Sequence, residues 1–205
     1  MYITTFDTEH VSPAKLRADS KRLASYRERI EAVRHNFNTT VPEYSLAYPA
    51  EPEFHERLHE VKKQFGKVKH VVLIGIGGSS LGLQAIDTVL RTDKTPALHV
   101  LDTVSSHTLN RLHTTLQSIK KAEDVAVCVV SKSGGTTETM SNAAVVTGWL
   151  TERFGKAAVS RCIYIGDPGT DFMKAGKRAG AYCLPMPRVI GGRYSVATEV
   201  GLMPM

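Results

Sequence analysis

From Lys69 onward, short continuous apolar runs alternate with helix-length segments, and this pattern restricts the fold more than any other feature of the chain. The runs cover residues 71–76, 97–101, 125–130, 162–165 and 181–184, with segments 80–90, 106–119, 137–154 and 172–179 between them. Runs that are continuous, not alternating, suit strands covered on both faces. Five such strands joined by four helices predict an α/β fold, a doubly wound five-stranded parallel sheet flanked by helices and linked by right-handed crossovers. In such sheets ligands sit outside the carboxyl ends of the strands. Two glycine-rich turns fall there.

The more informative turn is 131–139, Ser-Lys-Ser-Gly-Gly-Thr-Thr-Glu-Thr, between the third run and a helix-like segment. The first N–H groups of a helix have no partner inside it, and its dipole adds partial positive charge at that end. Gly134 and Gly135 let the backbone curl round a ligand. Hydroxyls of Ser131, Ser133, Thr136 and Thr137 can donate to phosphate oxygens, and Lys132 can supply a cation. An ordinary hydroxyl-rich cap turn would read similarly. The other turn, Gly75-Ile-Gly-Gly-Ser-Ser-Leu-Gly82, approximates the dinucleotide fingerprint, yet Ser80 stands where its third glycine should be. Its alternative reading is that Gly77 and Gly78 allow close approach while Ser79 and Ser80 add donors to the ligand of the 131 turn. No phosphate-binding pattern of the G-x-x-x-x-G-K-S/T type is present. A third stretch, Gly191-Gly-Arg-Tyr-Ser195, puts Arg193 just before a helix-like segment, where a planar, always-charged guanidinium can stabilise an oxyanion or a phosphate.

The net charge of +6 suggests anionic company, but the basic residues are scattered and no arginine-rich arm or zinc-finger spacing appears, so no nucleic-acid partner is expected. No apolar run reaches 18 residues and no signal peptide is evident, so no membrane partner is expected either. Cys128, Cys162 and Cys183 each lie in an apolar run and read as buried free thiols; an odd count favours a cytoplasmic setting.

Upstream, residues 1–11 read as an irregular lead-in. Ser12 and Pro13 predict a cap and first helical position for a charged helix to about His35. Pro42, Pro49 and Pro52 break up the next stretch. A helix over 53–65 follows, with Phe54, Leu58, Val61 and Phe65 as its apolar stripe. It contains His55-Glu-Arg-Leu-His59, the H-E-x-x-H zinc pattern. Lys62 and Phe65 stand where the metzincin glycine and last histidine belong, so no metal is expected.

Together, the stretches 75–82, 131–139 and 191–201 resemble the phosphoglucose isomerase family, whose amino-terminal portion is a sugar-isomerase (SIS) domain of flavodoxin-like topology. The middle stretch would suit any SIS domain; Gly-Gly-Arg-Tyr-Ser is more specific to the isomerases. The resemblance implies a helical extension over 1–66 and a SIS domain over 67–205, with a second SIS domain and a carboxyl-terminal region outside the chain. It implies an aldose–ketose isomerase interconverting glucose 6-phosphate and fructose 6-phosphate through an enediolate, with no cofactor. Residue by residue, it implies that Gly78, Ser79, Ser131, Lys132, Ser133 and Thr136 hold the substrate phosphate. Arg193 then stabilises the charge that develops during proton transfer, and Glu138 helps to position the substrate. The family's base, ring-opening histidine and a further lysine follow the arginine block and would lie past Met205. The chain by itself is therefore expected to grip phosphate and to be inactive, and the full-length protein to be a cytoplasmic homodimer. Two other readings are a regulatory sugar-phosphate-binding SIS module and a dinucleotide-dependent oxidoreductase using Asp102 on a ribose.

Overall fold

A computed structural model of the chain describes residues 11–205, so most of the expected 1–11 lead-in lies outside the described residues. Five parallel strands form one sheet: β1 His70–Ile74, β2 Ala97–Leu101, β3 Val125–Val130, β4 Cys162–Gly166 and β5 Tyr182–Pro185, in the order β2-β1-β3-β4-β5. In register, Val72 of β1 faces His99 of β2 on one side and Val127 of β3 on the other. Helices fill the intervals: α1 Pro13–Arg22, α2 Ala24–Asn36, α3 Tyr44–Ala47 and α4 Pro52–Phe65 precede the sheet. Then α5 Leu81–Leu90, α6 Ser106–Ser118, α7 Thr137–Phe154 and α8 Asp171–Ala179 alternate with the strands, and α9 Glu199–Leu202 closes the chain.

The continuity of the apolar runs follows from two separate cores. Val72, Ile74, Val125, Val127 and Val129 pack against α6, α7 and α8 through Leu112, Leu116, Val146, Leu150 and Phe172. Val71, Leu73, Ala126, Cys128, Ile163 and Ile165 face the other way, against Leu83 of α5 and Phe54, Val61 and Phe65 of α4. Only one of the four crossover helices covers this second face. The leading helices and the carboxyl-terminal segment supply the layer that the crossovers leave bare, so residues on both sides of position 66 share one core.

Local signals hold with three adjustments. Ser12 caps α1 as expected, accepting from the Lys15 N–H at 3.3 Å, but the expected long helix relaxes at Leu23 (φ −87°, ψ 0°). α1 buries none of its residues, so no packing surface keeps the two halves in line. Asp167 and Pro168 repeat the cap-then-proline pattern of Ser12 and Pro13 and so predict the start of α8, but that start is capped by Thr170, whose Oγ1 accepts from the Met173 N–H at 3.3 Å. Asp167 instead accepts from the Gly169 N–H at 3.0 Å, turning the chain one step earlier. β1 ends at Ile74, because Gly75 and Ile76 already belong to the turn. On α4, His55, Glu56 and His59 lie on the exposed shoulder, where His59 Nδ1 lies 2.8 Å from the His55 carbonyl oxygen. Among the described residues no group of three or more His, Cys, Asp or Glu could hold a metal ion, and no helix is long and apolar enough to cross a membrane.

Candidate functional site

β1 lies between β2 and β3, so the chain leaves β1 toward one edge of the sheet and later leaves β3 toward the other. The carboxyl ends of β1 and β3 therefore flank the topological switch point, where the diverging connections open a crevice. The turn after β1 carries Gly78 and Ser79, and the turn after β3 carries Ser131, Lys132, Ser133 and Thr136. Both expected turns border this crevice.

The helices that follow these turns differ from the other two crossover helices in one respect. α6 and α8 also follow strands, and each begins with a hydroxyl bonded to its own first turn, Ser105 to Thr108 and Thr170 to Met173. α5 and α7, which flank the switch point, have Ser80 and Thr136 at their caps, and neither makes a side-chain cap bond. Their first N–H groups keep their donor capacity and their share of the dipole. Of the four helices that link strands, the two that border the crevice are the two without a side-chain cap bond.

The third stretch closes one side. Residues Gly192–Ala197 form a 3₁₀ turn against the Gly77–Ser79 turn. A Cβ added to Gly78 would lie 2.3 Å from both the carbonyl carbon and the oxygen of Gly192 and 2.9 Å from the Arg193 nitrogen, a separation only glycine permits. Ser195, 1% exposed, donates to the Gly192 carbonyl at 2.6 Å. Gly82, the second residue of α5, packs against Val196. Arg193 is held by its backbone beside the β1 turn while its side chain remains exposed.

The 131 turn is organised from within. Ser131, 3% exposed, accepts from the Gly134 N–H at 3.1 Å, and exposed Ser133 accepts from the Gly135 N–H at 3.3 Å. Gly134 has φ +70°, the left-handed region that favours glycine, and a Cβ there would meet Phe172 at 2.6 Å. Lys132 is placed differently from a free cation: its Nζ donates to the carbonyls of Arg188 at 2.7 Å and Ile190 at 2.9 Å. It therefore ties the 131 turn to the segment that leads into Gly191. Asp167 reinforces that tie. Its backbone N–H donates to the Lys132 carbonyl, and its carboxylate pairs with Arg188 Nε at 2.9 Å. The bond from Gly169 N–H, with Arg188 adding to it, holds the Asp167 carboxyl below the usual carboxylate range. Glu138 projects from the first turn of α7 and is exposed.

Several residues near the site were not singled out from sequence. Asp167 and Arg188 lie 21 positions apart and carry no motif. Thr139 and Asn142, each 1% exposed, sit three apart on α7; Asn142 Nδ2 donates to the Thr103 carbonyl at 3.0 Å and fixes the loop after β2. Glu199, fully buried beyond the Arg193 turn, had one available signal, a lone carboxylate inside an otherwise apolar stretch.

The sequence pattern of phosphoglucose isomerase matches residues 11–205, almost the whole chain. The chain belongs to the phosphoglucose isomerase family. Among its relatives are a probable glucose-6-phosphate isomerase of Haloquadratum walsbyi, 32% identical over 98% of this chain and 45% of that protein, and the glucose-6-phosphate isomerase of Thermus thermophilus, 35% identical over 75% of this chain and 37% of that one. The chain spans less than half the length of these relatives. Among solved structures, a hypothetical protein of Thermus thermophilus superposes with a TM-score of 0.75 at 31% identity, covering 94% of this chain and 45% of that one. A glucose-6-phosphate isomerase of Chlamydia trachomatis superposes at 0.72 over 96% of this chain and 43% of that one; at 19% identity it attests the fold alone. The phosphoglucose isomerase family thus accounts for the sheet order, the amino-terminal helices and the three turns in one frame.

Proposed function

We propose that the crevice between β1 and β3 grips the phosphate of a sugar phosphate, and that this chain is the phosphate-binding part of an isomerase interconverting glucose 6-phosphate and fructose 6-phosphate. The observation that carries the reading is the pair of uncapped helix starts, α5 and α7, beside a 3₁₀ turn that presents Arg193. Gly78, Ser79, Ser131, Ser133 and Thr136 supply backbone and hydroxyl donors to the dianion. Lys132 adds charge while its ammonium stays on the two carbonyls. Glu138 orients the sugar from the first turn of α7. Arg193 stabilises the oxyanion that forms as a proton moves between C1 and C2 of the opened sugar.

Isomerisation also needs a base within about 3 Å of the migrating proton. On this reading none of the crevice residues fills that role, so the 205 residues bind phosphosugar without turning it over. The test has two arms. Titration calorimetry with fructose 6-phosphate should give saturable binding that Ser131→Ala and Thr136→Ala weaken by about tenfold or more each, the equivalent of about 1.5–3 kcal/mol per charge-assisted hydrogen bond. A coupled fructose-6-phosphate assay should show no turnover. Binding untouched by both substitutions, or turnover of about 1–1000 per second, would overturn the proposal.

A further inference from the structure

Among the described residues, one carboxylate with no exposed surface lies outside the crevice. The Glu199 carboxylate is 0% exposed and accepts from the Tyr48 hydroxyl at 2.6 and 2.8 Å and from Arg57 Nε at 2.9 Å. Arg57 also donates through Nη2 to the Tyr48 oxygen at 2.8 Å, which closes a three-membered network. Tyr48 is itself wedged between the Tyr44 ring, edge-on at 5.4 Å, and the Phe54 ring at 5.0 Å. Taking a carboxylate and a guanidinium out of water is expensive, and apolar side chains of similar volume usually serve stability as well or better. What such a network supplies is a single directional register.

That register reaches Arg193 through a short run of buried hydroxyls. Thr198, 0% exposed and adjacent to Glu199, accepts from the Val200 N–H at 3.2 Å and donates to the Ser195 carbonyl at 2.6 Å. Ser195 in turn donates to Gly192, whose backbone lies against Gly78. Gly201 gives the segment no slack, since a Cβ there would lie 2.0 Å from the Val196 carbonyl oxygen. We propose that Glu199, anchored by Tyr48 and Arg57, is a positioning residue that fixes the Arg193 turn against the β1 turn, so the amino-terminal helices set the placement of the oxyanion-stabilising arginine. This rests on the reading that Arg193 faces the sugar end of the substrate. The 131-turn part of the phosphate grip has anchors of its own, in the packing of Gly134 on Phe172 and the Lys132 carbonyl contacts.

The experiment uses the intact chain and three readouts. Glu199→Gln keeps the shape and removes the charge; Leu150→Ala, in the core on the other sheet face, serves as a control for general destabilisation. Amide exchange at Tyr194 and Thr198, whose N–H groups bond to Gly191 and Ser195, should quicken at least tenfold in Glu199→Gln and not in the control, with β1 and β3 amides unchanged. Affinity for 6-phosphogluconate, which carries anionic charge at its C1 end, should fall at least tenfold while affinity for inorganic phosphate stays the same. In an Arg193→Ala background, Glu199→Gln should cost no further affinity. Exchange that quickens across the whole sheet, equal losses for both ligands, or a full loss persisting without Arg193 would each overturn the proposal. If Arg193→Ala leaves 6-phosphogluconate binding untouched, the role of Arg193 fails while exchange still decides whether Glu199 fixes the turn. Should Glu199→Gln not fold, Tyr48→Phe keeps the ion pair, removes the phenol bonds and should give the same pattern at about threefold; a silent Tyr48→Phe would then count against the network.

Discussion

Gly78→Ala tests the meeting of the two turns directly. The added methyl would lie 2.3 Å from the Gly192 carbonyl carbon and oxygen, all backbone atoms that cannot rotate away. Carbon contacts are optimal at about 3.5–4.0 Å, so the turns must part by about 1 Å or more. Overpacking of this kind costs about 1–3 kcal/mol. For a domain of this size each kcal/mol lowers the melting temperature by about 2–4 °C, which predicts a drop of roughly 2–12 °C. If Arg193 makes a charged hydrogen bond worth about 1.5–3 kcal/mol to the sugar end, losing it weakens 6-phosphogluconate by roughly 10- to 150-fold. Two neighbours calibrate the result. Gly192→Ala meets nothing within 4 Å and should be silent. Gly77→Ala also meets open space but has φ +59°, so it should cost about 1–2 kcal/mol of backbone strain with little change in affinity. Thermal melts and calorimetry on the three variants suffice. A Gly78→Ala protein that melts and binds like its parent would refute the close approach of the turns.

Two further outcomes are expected. Lys132→Met removes both the cation and its bonds to the carbonyls of Arg188 and Ile190, so it should lower stability by about 1 kcal/mol and phosphate affinity by tenfold or more; unchanged stability in a denaturant melt would mean those contacts contribute nothing. His99 stacks on His70, with 3.1 Å between ring nitrogens, and burial, then the charges of His70, Arg111 and Arg91, hold its pKa below the ordinary histidine value. A histidine kept neutral in the native state favours folding fully above its unfolded value of about 6.5 and loses that contribution as pH falls below it. The melting temperature should therefore fall from pH 8 toward pH 5.5, and less steeply in His99→Gln; identical slopes would remove His99 as the cause.

The sheet was legible because both of its faces are covered. With α6, α7 and α8 on one side and α4 and α5 on the other, β3 has no exposed face, and its run from Val125 to Val130 reads without alternation. The turns were legible because glycine is required where backbone meets backbone, as Gly78 meets Gly192, and where φ is positive, as at Gly134. Less was visible where a local signal had a competitor: Asp167 reads as the cap of α8, but Gly169 gives it a tighter turn of its own and Thr170 takes the cap. The placement of Lys132 was not legible at all, since its acceptors are main-chain carbonyls that any sequence provides. Glu199 was hidden by distance, with partners 142 and 151 positions away.

That distance bears on how the protein is made. The sheet face over β3 and β4 must be closed by α4, and the closing contact joins Tyr48 to Glu199, 151 residues later. At about 5–20 residues per second, a ribosome takes roughly 8–30 s to bridge that interval. During it, Phe54, Val61 and Phe65 wait in water for strands not yet synthesised. α4 is therefore the element a holding chaperone would meet first, and docking of the helical layer should be the slow, late phase of refolding, as high contact order requires.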